Sequence, residues 1–63
     1  MVYKVSDLLS LAEELTRDKM QYVSLTEYKN PDGTYISVFA TSSVDSPEAI
    51  DYEEIESVPG MDF

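Results

Sequence analysis

Residues 22–41 read YVSLTEYKNPDGTYISVFAT, and the fold turns on their middle, Asn30-Pro31-Asp32-Gly33. Pro31 presets φ for the first corner of a type I turn, Asp32 suits the second, and Gly33 accepts the left-handed backbone that follows. On either side lie runs rich in β-branched and aromatic residues. Tyr22, Val23, Leu25, Thr26 and Tyr28 precede the turn, and Thr34, Tyr35, Ile36, Val38, Phe39 and Thr41 follow it. Two such runs around such a turn predict an antiparallel hairpin, with strands over about 20–29 and 34–41.

The loop sets the register. A three-residue loop of Pro31, Asp32 and Gly33 pairs Asn30 with Thr34, and so Tyr28 with Ile36, Thr26 with Val38 and Leu25 with Phe39. One face then gathers Tyr22, Tyr28, Ile36, Val38 and Ala40, and the other Val23, Leu25, Tyr35 and Phe39. A slip of one residue regroups them, because side chains alternate with a period of two. In either register both faces carry large apolar groups, and one helix covers only one of them. The second face falls to the C-terminal segment, to another copy or to a partner.

Upstream, Leu8, Leu9, Leu11, Ala12 and Leu15 recur at three- and four-residue spacing. This predicts an amphipathic helix over about 7–18, with Ser6 as its N-cap and Asp7 placing negative charge in the first turn. Glu13 and Arg17 stand in the favourable i, i+4 order. Downstream, residues 41–46 read as a polar loop, and 47–58 admit two readings. Ser46, Pro47 and Glu48 make a helix start, with Ala49, Tyr52, Ile55 and Val58 as a stripe. Against it, Asp51–Glu54 and Glu53–Glu56 are like-charge i, i+3 pairs with no lysine to relieve them. The competing reading is a turn around Asp51–Glu54 and a short third strand, Ile55 to Val58. Pro59-Gly60 ends either one, and 59–63 reads as a flexible tail.

The expected architecture is therefore α+β in a single small domain. The N-terminal helix packs on an antiparallel hairpin, with a short C-terminal helix or third strand over about 47–58. A 63-residue chain with no Cys builds only a small core and has no disulfide to help it.

Charge is distributed unevenly. Residues 1–29 carry five acids against all four bases, whereas residues 30–63 carry eight acids and no base, for a net charge of −9. Such a chain repels nucleic acids and anionic membranes and attracts basic surfaces. No basic region followed by an apolar run marks a signal peptide, and no apolar stretch approaches a membrane span. A cytoplasmic location is the expectation.

Chemistry is limited by what is missing. With no His and no Cys, the sequence offers neither a Ser-His or Cys-His nucleophile pair nor zinc ligands. Asn30, Asp32 and Gly33 resemble a fragment of a calcium loop, but Phe39 stands where the bidentate Glu belongs. Gly33 and Gly60 are the only glycines, too few for a phosphate-binding loop. Tyr22, Tyr28, Tyr35 and Phe39 could stack bases as the aromatic platforms of sheet-based RNA binders do, yet such platforms need basic surroundings. No enzyme activity and no cofactor or metal are expected. The expected role is a small acidic protein-interaction module. Its partner is a protein with a basic surface or a second copy of the chain. The candidate contact residues are Glu48, Asp51, Tyr52, Glu53, Glu54 and Glu56, with Tyr35 and Phe39 on the hairpin. The alternative is an acidic mimic of nucleic acid that inhibits a basic DNA- or RNA-binding protein.

Overall fold

The computed structural model describes residues 1–45 and 48–63. One helix, α1 (Val5–Arg17), precedes three strands, β1 (Tyr22–Asn30), β2 (Gly33–Thr41) and β3 (Ile50–Glu56). The strands form one antiparallel sheet in the order β1-β2-β3. The α+β expectation holds, and of the two readings for the C-terminal segment the structure takes the strand. That strand is longer and earlier than Ile55 to Val58. The helix start expected at Ser46 and Pro47 lies outside the described residues.

The helix begins two residues sooner than its sequence signals suggest. Lys4 occupies the N-cap with extended backbone and no side-chain cap, so Ser6 sits inside the first turn rather than at its mouth. The lead-in is held from outside the helix: the Val58 N–H donates to the Val2 carbonyl at 2.8 Å, and the Tyr3 hydroxyl donates to Glu27 at 2.9 Å. Asp7 remains in the first turn, where the helix dipole favours it. At the other end Lys19 adopts φ 62, the Lys19 N–H reaches the Thr16 carbonyl at 3.0 Å, and the Met20 N–H reaches the Leu15 carbonyl at 2.9 Å. This is a Schellman ending with a lysine where glycine is usual.

The hairpin register differs by one residue from the three-residue-loop reading. Asn30 pairs with Gly33, leaving a two-residue loop of Pro31 and Asp32. The Asp32 N–H donates to the Asn30 side-chain oxygen at 3.1 Å, and Gly33 takes φ 148. An Asx turn of this kind closes the loop without the extra residue, so the sum of paired residue numbers drops by one and β1 turns over relative to β2. Val23 now faces Ala40, Leu25 faces Val38, and Tyr28 faces Tyr35.

The regrouping explains the core. Val23, Leu25, Ile36, Val38 and Ala40 share one face with Ile50, Tyr52 and Ile55 of β3. The helix lies on that face: the Tyr52 hydroxyl donates to Asp18 at its C-terminal end at 2.8 Å. Val38 is fully buried there, and Leu15, Ala40 and Ile55 are buried beside it. Coverage is lopsided. It is fullest over Val38 and Ala40 of β2 and Ile55 of β3, whereas Val23 and Leu25 on β1 remain 46% and 52% exposed and Ile50 at the start of β3 52%. Leu8 and Leu9 of the predicted helix stripe are also exposed, so Leu11 and Leu15 make the inward face.

Candidate functional site: the open face of the sheet

The opposite face carries Tyr22, Ser24, Thr26 and Tyr28 from β1, Tyr35, Ser37, Phe39 and Thr41 from β2, and Asp51 and Glu56 from β3. Among the described residues no helix or strand covers it. Phe39 is 41% and Tyr22 53% exposed. Such groups occur on this face because β-branched and aromatic residues alternate through β1 and β2, and the two-residue loop brings the aromatic sets of both strands to one side.

Tyr28 and Tyr35 are direct cross-strand partners, and their rings stack with centroids 5.8 Å apart and planes inclined by 25°. Offset stacking of this kind adds to the stability of a cross-strand pair. Glu54 reaches the same spot from β3. Hydrogen bonding to the Glu54 carboxylate, with loss of water and negative charge adding to it, pushes the Tyr28 hydroxyl up to about 12. Partial loss of water and the nearby Glu56, Asp32 and Glu54 raise Tyr35 as well. Every position of this face is neutral or acidic, and none is Lys or Arg. The chemistry on offer is therefore a shelf of aromatic rings bordered by carboxylates.

The sequence-predicted residues divide between two sides. Tyr35, Phe39, Asp51 and Glu56 meet on the open face, with Glu54 beside Tyr28. Tyr52 points the other way and is tied to Asp18 of the helix end, which raises its hydroxyl pKa. Glu53 lies with Glu54 in a bulge, where the pairing passes from Ile36↔Ile55 to Val38↔Tyr52. Glu48 is exposed ahead of β3. Tyr22 and Tyr28 belong to the site, whereas a three-residue loop would put them on the face opposite Tyr35 and Phe39. The signal that places them is the Asx-forming Asn30, which permits the shorter loop.

Among the described residues no cluster of three or more metal-ligating side chains occurs, and no helix is long and apolar enough to cross a membrane. No protein-family model matches the chain, and neither a curated protein nor a solved structure matches it.

Proposed function

We propose that this chain is a non-enzymatic protein-interaction module that docks the open face of its sheet on a basic surface of another protein. The observation that carries the reading is the uncovered shelf of Tyr22, Tyr28, Tyr35 and Phe39, bordered by Asp51, Glu54 and Glu56. Aromatic rings are favoured at interface cores, and their faces attract guanidinium and ammonium groups. The carboxylates of β3 add opposite charge at the rim, which steers a basic partner and sets orientation. A site of this kind needs no titrating nucleophile.

A narrower form of the same reading is favoured by Asp51, Glu54 and Glu56 succeeding one another along one strand. A row of carboxylates competes with nucleic acid for the cationic groove of a DNA- or RNA-binding protein. The test is capture of partners from native lysate, with the wild-type chain compared against Phe39→Asp and against a chain with Glu53, Glu54 and Glu56 all changed to Gln. A basic partner held by the wild type, released by salt and lost in both variants supports the module. Displacement of that partner by added DNA selects the inhibitor form. Equal capture by all three chains sinks both.

A further inference from the structure

We infer that the free edge of β1 is a self-pairing edge: a second copy of this chain lays its own β1 antiparallel against it, joining two three-stranded sheets into one of six. β1 is an outer strand of nine residues with no backbone partner on its far side among the described residues. In a two-residue hairpin the pair flanking the loop exchanges both backbone bonds, and such pairs recur at every second residue. Tyr22, Ser24, Thr26, Tyr28 and Asn30 thus bond to β2, while Val23, Leu25, Glu27 and Lys29 turn their backbone groups outward. Edges that must stay single are defended by proline, bulges, charge or short length. β1 is long, contains no proline, pairs with β2 without a register shift and carries only two charges of opposite sign, Glu27 and Lys29.

Charge selects the occupant. Glu27 and Lys29 cancel within β1, so of the two sheet edges among the described residues this one carries no excess negative charge. Meeting through β3, or open face to open face, would set carboxylates against carboxylates. Meeting through β1 puts the two acidic strands at opposite ends of the joint sheet, five strand spacings or roughly 24 Å apart. That is more than twice the screening length of about 8–10 Å at moderate salt.

Shape agrees with charge. A two-fold axis normal to the sheet sets both helices on the same side. Val23 and Leu25 of each copy, half-exposed in the single chain, then meet in the trough between them. A hollow at the helix end, lined by Ala12, Leu15, Met20 and Val23 together with Thr16, Gln21 and Tyr22, lies beside Val23. A standard interface takes about 800 Å² from each partner, roughly a sixth of the 4850 Å² this chain exposes. A single strand edge with two apolar side chains per copy falls at the small end of that scale, so the dimer forms reversibly with concentration.

The inference does not rest on the basic-partner reading, and the two respond oppositely to salt. Sedimentation equilibrium across a concentration series, at low and high salt, reads the mass directly. The mass is expected to rise from 7.1 kDa toward twice that value, and more so at high salt, which screens the repulsion between acidic copies. Leu25→Pro removes an outward N–H at a position where edge strands tolerate proline. Leu25→Lys places a guarding charge on the edge instead. Each should weaken self-association by about tenfold or more, or 1.4 kcal/mol, with far-UV circular dichroism confirming the fold. If the proline variant unfolds, the lysine variant decides. A mass of one chain at every concentration and salt overturns the inference. So does a dimer that survives the folded Leu25 variants, or one that Phe39→Asp abolishes while they do not.

Discussion

β1 and β3 flank the same central strand and are built to opposite rules. β3 is acidic and bulged, and its far end is clipped: the Ser57 N–H bonds the Thr34 carbonyl at 2.9 Å and the Val58 N–H bonds Val2. Its Ile55 is buried under the helix. β1 is regular and balanced in charge, and every residue of it except Tyr28 is exposed. Both strands obtain their backbone bonds from β2, but only β3 is protected against a further strand. The asymmetry assigns stability to one side of the sheet and availability to the other.

The sharpest way to break this comparison is to truncate equivalent side chains on the two strands. Ile55→Ala should cost about 2–4 kcal/mol, as the loss of a buried branched side chain does, and that is a large share of the roughly 3–9 kcal/mol expected for a chain of this length. Leu25→Ala, at a half-exposed position on the same face, should cost about 1 kcal/mol or less. Urea unfolding followed by circular dichroism measures both. Equal costs would mean that β1 is as much a part of the core as β3.

The next test uses the link across the sheet. Tyr28 of β1 holds its proton up to about 12 against an ordinary 10.0, chiefly through Glu54 of β3. The folded chain therefore keeps a proton that the unfolded chain releases. The contribution is fully present below pH 10 and is lost as pH rises toward 12. Thermal unfolding between pH 9 and 12 should show this alkaline loss, and Tyr28→Phe should flatten it. Tyr3, Tyr35 and Tyr52 are also raised and leave a smaller residual slope.

Two smaller effects lie at the ends of β1. Lys19, ahead of the strand, holds a left-handed backbone at φ 62 that favours glycine. Lys19→Gly should raise the unfolding midpoint by an amount corresponding to about 1 kcal/mol. At the loop, Asn30→Ala deletes the bond to the Asp32 N–H and should cost about 0.5–1 kcal/mol in the same assay. Neither should alter self-association through β1 at fixed folded concentration.

Helix and hairpin were legible because each has its own local signature, the three-and-four spacing of the leucines and the turn residues between two β-rich runs. Register was not. Asn-Pro-Asp-Gly supports loops of two or three residues, and the structure takes the shorter one, in which the Asn30 side-chain oxygen accepts from the Asp32 N–H. The loop length decides which faces Val23, Leu25, Tyr22 and Tyr28 occupy. The third strand was obscured for a related reason. Tyr52 and Ile55 lie three apart, which resembles a helical stripe, yet both face α1 because the bulge between them inserts an extra residue. The like-charge i, i+3 pairs Asp51–Glu54 and Glu53–Glu56 were the better guide, since a helix would bring each pair together with no lysine to relieve it. The carboxylates, Tyr35 and Phe39 could be named from sequence, but the placing of Tyr22 and Tyr28 on the same face required the register.

The clip between Val58 and Val2 also bears on the order of folding. Strand order follows chain order, so each strand pairs with its neighbour in sequence. The Val58–Val2 bond joins residues at opposite ends of the chain and cannot form until the meander exists. It is therefore expected to form late, after the strands have paired. A chain ending at residue 56 should thus fold at nearly the full-length rate and unfold faster, its deficit residing in how long the native state lasts.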